Sequence, residues 1–204
     1  MAFPQAWEET ALITIQKLAG TAYQFAAITE TIDISEPDYP GESVPNLAGG
    51  RIWKQGSQED GELTLEIYPI NLDTTGSAGL FQEFNGGDWD ATQPLATDIT
   101  WGAGIARTRD RFMVAIMWTD DVAQTSAVAA TTTVGSVALR FYAKECKIIS
   151  HKSAYADGIL KTTVTFKFPA MNITGATKAY AWESTNAGGT AETPLPVLTY
   201  STAL

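Results

Sequence analysis

The protein has 204 residues, of which 45% are hydrophobic and 18% charged, and its formal net charge is −10 at pH 7. This length and composition predict one folded domain over residues 1–204 and disfavour a disordered chain or a coiled coil. The single cysteine, Cys146, excludes an intramolecular disulfide framework and a cysteine-built zinc site, and a free thiol is typical of a reducing cytoplasm. The net negative charge argues against a protein that binds nucleic acid through its phosphates.

The N-terminal residues lack the basic and apolar regions of a signal peptide, so no export signal is predicted. The longest apolar run, residues 112–118, is too short to span a membrane. Charge is distributed unevenly, since residues 1–120 contain 18 acids and 6 bases whereas residues 121–204 contain 5 acids and 7 bases. This asymmetry indicates either chance surface composition or a directional assembly with one acidic face.

Alternation of apolar and polar residues dominates the chain and predicts β-strands. Ile13 and Ile15 mark an early strand, and residues 23–27 and 32–34 continue the pattern. Residues 35–60 follow as a long polar loop with three prolines, a length that is usual only for functional or disordered loops. Residues 61–70 then form a half-buried strand in which Leu63 and Leu65 alternate with polar residues.

One α-helix is predicted near residues 75–85, capped by the Asp-Thr-Thr at 73–75 and ended by Gly86-Gly87. The run 111–120 is apolar on both faces, so it is either central in a sandwich or covered by a neighbouring subunit. Residues 123–133 form a weakly structured Ala/Thr/Val stretch within a loop over residues 121–135.

The last strong pattern is an antiparallel hairpin. In the strand over residues 136–150, the apolar residues lie at odd positions up to Phe141 and at even positions from Cys146. A bulge at residues 143–145 would place both sets on the same face of the sheet. A loop over residues 150–158, ending in Ala-Asp-Gly, leads into the strand at 159–168. The elements together predict a mainly β fold, an antiparallel β-sandwich or partly closed barrel with one flanking α-helix, followed by a C-terminal extension at 171–204.

Groups that could support catalysis are few. His151 is the only histidine, and a Cys146–His151 pair five residues apart would be unusual for a thiol enzyme. The adjacent carboxylates at 59–60 and 120–121 fit acidic turns better than a glycosidase pair. The Asp88 and Asp90 region lacks the spacing and closing glutamate of an EF-hand. The sequence therefore predicts no enzyme, no metal and no cofactor.

The order of these parts resembles that of the tail tube (major tail) proteins of long-tailed bacteriophages and related archaeal viruses. The nearest local similarity is the strand Gly61-Glu-Leu-Thr-Leu-Glu-Ile-Tyr, the helix exit Phe84-Asn85-Gly-Gly-Asp88 and the strand Arg111-Phe-Met-Val-Ala-Ile. The resemblance implies a β-sandwich with one helix that assembles into stacked hexameric rings. These rings form a hollow tube through which viral DNA passes without specific binding. Compared with that family, the loop at 121–135 looks like an insertion.

The resemblance also implies partners and a location. The partners are further copies of this chain, the tape measure protein, the tail terminator and the baseplate or tip proteins, and the location is the virion tail, assembled in the host cytoplasm. The loop at 35–60 is expected to reach the neighbouring ring, mobile in the free subunit and ordered there. Its candidate contacts are Asp38, Tyr39, Arg51, Trp53, Lys54, Gln58 and Glu59. Acidic residues are expected to line the tube and repel the passing genome.

Two other functions fit the sequence. A β-sandwich binding or adhesion module, for carbohydrate or a cell surface, would be monomeric with an exposed cluster of aromatic residues. A hydrolase with two carboxylates on an open sheet would show a deep cleft with perturbed pKa values.

Overall fold

A computed structural model describes residues 11–18, 22–26, 31–68, 111–121, 123–130, 137–185 and 194–200. These ranges contain β-strands and no helix, and the helix predicted for residues 75–85 lies outside them. The strands are β1 (Ala11–Lys17), β2 (Ala22–Ala26), β3 (Ile32–Ser35), β4 (Gly41–Pro45), β5 (Arg51–Gln55), β6 (Gly61–Ile67), β7 (Phe112–Thr119), β8 (Ala138–Ala156), β9 (Ile159–Phe168) and β10 (Tyr180–Ser184).

Strand β8 joins two halves of one curled antiparallel sheet. Its first half pairs with β7 on one side and β10 on the other, and its second half pairs with β9. The strand order is β2-β1-β7-β8-β9-β6-β3, with β10 beside β8. We call β2, β1, β7, β10 and the first half of β8 sheet A, and the second half of β8 with β9, β6 and β3 sheet B. The fold is therefore mainly β and half-barrel-like, as the alternation predicted.

The predicted bulge in β8 is confirmed. Phe112 pairs with Cys146 and Val114 with Ala143, so Met113 alone faces two residues of β8. One of these, Glu145, has a φ of 63°, a left-handed conformation that non-glycine residues seldom adopt. A bulge of this kind bends a strand and increases its twist. It lies where β8 leaves sheet A for sheet B, and so explains why the apolar residues change phase there.

The loop predicted at residues 150–158 is wrong, because β8 continues to Ala156 and pairs with β9 over most of that length. Only Asp157 and Gly158 connect the two strands, with φ values of 53° and 80°. Positive φ at both positions is typical of the tight hairpin turn that Asp-Gly favours. The turn signal was correct, but the polar residues before it belong to an exposed strand end.

The main core lies between sheets A and B. Strands β1, β6, β7, β8 and β9 contribute alternate residues to it, which accounts for the alternation in the sequence. Phe112 and Phe166 meet edge to face with ring centroids 5.9 Å apart. The largest fully buried members are Phe112, Phe141, Phe166, Phe168, Ile13, Ile15, Leu63 and Leu65.

The second face of β7 is covered by this chain itself and not by a neighbouring subunit, which corrects one of the two alternatives given for residues 111–120. Met113, Ala115 and Met117 are fully buried in a second cluster with residues from two later segments. We call these segments, residues 123–130 and 194–200, the cover. They are joined by a hydrogen bond from the Leu198 N–H to the Val128 carbonyl, 2.8 Å long.

A buried arginine fastens the cover to sheet A. The Arg140 guanidinium donates to the carbonyls of Ala127 (3.3 Å), Ala129 (3.4 Å) and Pro196 (2.9 Å), and its Nε donates to Glu183 (2.9 Å). Arg140 is fully buried, and such a cation must be paired and hydrogen-bonded to be tolerated. The described parts of the insertion at 121–135 and of the C-terminal extension therefore complete the fold, the latter also supplying β10.

Candidate assembly surface

Residues 36–60, the arm, form an ordered hairpin that continues β3 and β6 away from the sheet. Beyond the last β3–β6 pair, the Glu59 N–H donates to the Asp38 carbonyl (2.8 Å) and the Gly56 N–H to the Pro40 carbonyl (2.7 Å). Strands β4 and β5 then pair antiparallel up to the turn. The prediction of a long loop here is therefore wrong, because the segment forms two paired strands. A two-stranded ribbon satisfies its own backbone hydrogen bonds, which a structureless loop does not.

The tip of the arm, residues 46–50, is a compact turn. The Asn46 side chain accepts from the N–H groups of Ala48 (3.1 Å) and Gly50 (2.9 Å), and Gly49 takes a φ of 81°. This leaves Leu47 fully exposed at the outermost point. An exposed leucine on a turn fixed in this way is a preformed apolar contact for another molecule.

Both faces of the β4–β5 ribbon are exposed. On one face Val44 pairs with Ile52, and on the other the Trp53 indole lies over Gly41, where a Cβ would come within 1.8 Å of the ring. Gly41 is therefore needed to let the indole pack on the ribbon. Trp53 nevertheless remains 67% exposed, so most of this large apolar side chain is available for contact.

The seven residues predicted from the sequence fall into two groups. Asp38, Tyr39, Gln58 and Glu59 lie at the base of the arm, and Arg51, Trp53 and Lys54 lie on β5. Gln58 is half-buried, and its amide donates to the Pro37 carbonyl (3.2 Å), so it has a role within the subunit.

Arg51 donates from Nε to the Ser43 hydroxyl (2.7 Å) and stiffens the ribbon. The sequence also indicates Ile52, beside Arg51 and Trp53, as part of this anchor. The prediction missed Val44 and Leu47, although Asn46 and Gly49-Gly50 between two alternating runs are a hairpin signal.

A groove of about 700 Å³ lies at the root of the arm. Its charged side consists of Asp60, Arg111, Glu145, Lys147 and Lys167. Arg111 Nη1 lies 2.7 Å from Glu145 Oε2, and this hydrogen bond and charge raise the pKa of the arginine. The Glu145 side chain is only 8% exposed, and its Oε1 has no hydrogen-bond partner among the described residues.

The second half of β8, residues 147–156, is a sheet edge within the described part of the chain. It pairs with β9 on one side, while its pairing with β7 ends at Cys146. At the opposite edge of sheet B is β3, which pairs only with β6 among the described strands. Exposed edges of this length are templates for pairing with another chain.

The residues considered for nucleophilic chemistry do not form a site. Cys146 and His151 lie on the same strand five residues apart, a separation of about 16 Å. Cys146 is fully buried, and burial raises the pKa of its thiol far above the usual range. Within the described ranges, no three His, Cys, Asp or Glu side chains are grouped closely enough to hold a metal ion.

The Cys146 thiol is therefore expected to be inert in the folded protein. A thiol-specific chromogenic reagent at mildly alkaline pH should label almost none of the native protein, and should label one thiol per chain after unfolding in guanidinium. The unreactive state follows from burial and from the scarcity of thiolate, the reactive form. Rapid labelling of the native protein would contradict the position of Cys146 in the core.

A helix with the length and hydrophobicity of a membrane span is not found in the described ranges. No protein-family model matches the sequence, and no curated protein matches it. Solved structures do show similarity.

A chain of the cryo-EM structure of the anti-feeding prophage baseplate is 11% identical, with 90% of this chain and 97% of that chain covered and a TM-score of 0.48. A chain of the PVC sheath-tube complex, from an extracellular contractile injection system, is 10% identical, with 84% and 88% covered and a TM-score of 0.48. An Hcp protein is 8% identical, with 86% and 98% covered and a TM-score of 0.37. At such identities no residue role is carried over from these proteins.

Proposed function

We propose that this protein is a structural subunit that self-assembles into stacked hexameric rings, forming the hollow tail tube through which viral DNA passes. The observation that carries the proposal is the arm, which is exposed on both faces of its ribbon. A two-stranded hairpin is marginally stable alone in water and gains stability from packing against another surface. Ile52 and Trp53 are exposed on opposite faces of the ribbon, so the surface that would bury them belongs to another subunit.

Ring closure is assigned to the edges of sheet B. The edge formed by residues 147–156 of one subunit faces β3 of the next, so that sheet B continues from subunit to subunit. A head-to-tail contact of this kind generates a closed ring when its rotation closes. The number six comes from the resemblance to tail tube proteins. The sheet edges and the arm are separate surfaces, so one can build the ring and the other can join rings.

The outer face of sheet B then lines the channel. Its described side chains are mostly polar, with Thr64, Thr163 and Thr165 along the middle and Ile159 near the hairpin end. Four lysines and three acids lie on it: Lys147, Lys152, Lys161, Lys167, Asp33, Glu62 and Glu66. Lys161 is paired with Glu66 at 3.3 Å. The acidic lining expected from the resemblance would therefore depend on residues outside this face.

In this role the protein needs no catalytic residue and no cofactor. Its partners are further copies of itself, with the tape measure, terminator and baseplate proteins at the ends and inside of the tube. Assembly takes place in the host cytoplasm and the product is part of the virion tail.

Mass photometry of the purified full-length protein tests ring formation. We expect a species of about 130 kDa, six times the 21.9 kDa subunit, that becomes dominant as concentration rises. Because the proposed ring contacts are backbone pairs between sheet edges, this species should persist at raised salt concentration. A monomer alone, over the accessible range of concentration and salt, would contradict the proposal.

A further inference from the structure

The outer face of sheet B carries its charges in two bands. Among the described side chains of this face, every acid lies on β3 or β6 and every lysine lies on β8 or β9. We call Asp33, Glu62 and Glu66 the acidic band and Lys147, Lys152, Lys161 and Lys167 the basic band. The face is therefore acidic toward the β3 edge and basic toward the β8 edge.

The charges on the two inner strands compensate each other within the subunit. Glu62 on β6 lies directly opposite Lys167 on β9. Glu66 on β6 pairs with Lys161 on β9 at 3.3 Å. These four side chains therefore place opposite charges side by side in the middle of the sheet.

The charges on the two edge strands lie across from uncharged or like-charged residues. Asp33 on β3 and Lys152 on β8 are each opposite a threonine. Lys147 on β8 is opposite Lys167, and two like charges in this position repel each other. An opposite charge supplied from outside the subunit would stabilise each edge.

The same division extends beyond this face. Residues 31–68, which form β3, the arm and β6, contain eight acids and two bases, whereas residues 147–168, which form the second half of β8 and β9, contain four lysines and one acid. The two edge strands lie at opposite ends of sheet B. The uneven charge of the sequence therefore has a place in the fold, which favours a directional assembly over chance composition.

We propose that the two bands give ring closure its direction, with the basic β8 edge of one copy beside the acidic β3 edge of a second copy. This inference rests on the proposed tube and names what selects this pair of edges. Neighbouring strands from β8 to β3 alternate in direction, so β8 and β3 of the next copy run antiparallel with their outer faces on the same side.

The cross-strand rows indicate which charges meet at this contact. The row that begins at Asp33 continues through Thr64 and Thr165 and ends at Ser150. Continued in line, this row places Asp33 of the next copy beside Ser150 and one diagonal position from Lys152. A long side chain reaches a diagonal neighbour of this kind, so Lys152 and Asp33 form the pair across the contact.

The bands also disfavour the pairing of like edges. Two β8 edges could pair antiparallel about a two-fold axis, and such a dimer closes on itself. It would place Lys147 and Lys152 of both copies on one face, where their repulsion opposes the contact. Backbone hydrogen bonds hold unlike edges together once they meet, and the charges set which edges meet and how fast.

Reversal of the charges on one edge tests this proposal in the full chain. Asp33→Lys combined with Glu62→Lys leaves both edges basic, and Lys147→Glu combined with Lys152→Glu leaves both edges acidic. We expect each double variant alone to form about tenfold fewer rings than the wild type in mass photometry at low salt. An equimolar mixture of the two should form rings again, because each β8 edge then meets an unlike β3 edge and a ring of six admits alternating subunits.

Lys54→Glu combined with Lys178→Glu is the matched control. It changes the net charge as much as the second variant does, but at exposed positions outside sheet B, and it should form rings as the wild type does. For the wild type, the rate of ring formation should fall about tenfold from low to high salt while the final share of rings persists, because salt screens the attraction that brings unlike edges together.

The outcomes separate this inference from the function on which it rests. Wild-type levels of rings from either reversed variant alone would overturn the role of the bands while the ring remained. So would a mixture of the two variants, each with the circular dichroism of the wild type, that forms no rings, or a wild-type rate that does not change with salt. Wild-type protein that forms no rings at any concentration would overturn both.

Discussion

Replacing Arg140 by methionine is expected to lower the free energy of unfolding by about 3 kcal/mol. Methionine retains much of the length of the side chain but donates no hydrogen bonds. The carbonyls of Ala127, Ala129 and Pro196 would lose their fully buried donor, and Glu183 would lose its cation. Denaturant-induced unfolding, with the midpoint and slope compared to wild type, measures the effect.

Lys152→Met is the matched control, since it removes a cation from an exposed position on the same strand. Its unfolding midpoint should stay close to that of the wild type. A second readout is specific to the cover: limited proteolysis should cut residues 194–200 faster in Arg140→Met than in the control. Equal stability and equal cleavage of the two variants would show that Arg140 does not fasten the cover.

Removing the distal arm is expected to abolish tube growth while leaving the subunit folded. Residues 41–55 are replaced by Asn-Gly, a two-residue turn. The ends suit this change, because the Gly56 N–H already donates to the Pro40 carbonyl. No residue of the main core lies in the deleted segment. Circular dichroism should still show a β-rich fold, mass photometry should show rings, and negative-stain images should show no tubes.

The deletion removes both strands of the ribbon, because removal of β4 alone would leave β5 without its partner strand. Val197→Asp serves as the control for surface change elsewhere, and should form tubes normally. Tubes of normal length from the arm-deleted protein would show that the arm does not connect rings.

Much of the main sheet is predictable from the sequence, because its inner face is continuous and apolar. Leu63 and Leu65, or Val164 and Phe166, alternate with polar residues as a half-buried strand requires. The bulge near Glu145 was predictable for the same reason, since the buried face can change parity only where a residue is added. In these strands the sequence pattern and the tertiary contacts agree.

The arm and the cover were harder to predict because the arm has no buried face and the cover buries only separated residues, such as Ala127 and Leu198. Strands β4 and β5 are exposed on both sides, so alternation gives no signal, and three prolines favour a loop reading. The cover depends on contacts distant in sequence, such as Arg140 with Pro196, which no local pattern encodes. The candidate residues on β5 were identified from their type alone, since Arg and Trp are favoured at interfaces. Leu47 was missed because an isolated turn leucine carries no such signal.

Negative-stain electron microscopy of the purified full-length protein at high concentration tests the central claim most directly. The account predicts rings with a central opening and hollow tubes in which these rings repeat along the axis. Control images at low concentration should show rings and few tubes, because stacking depends on mass action. Small single particles without rings or tubes at every concentration and salt condition would contradict the claim that this protein builds a tube.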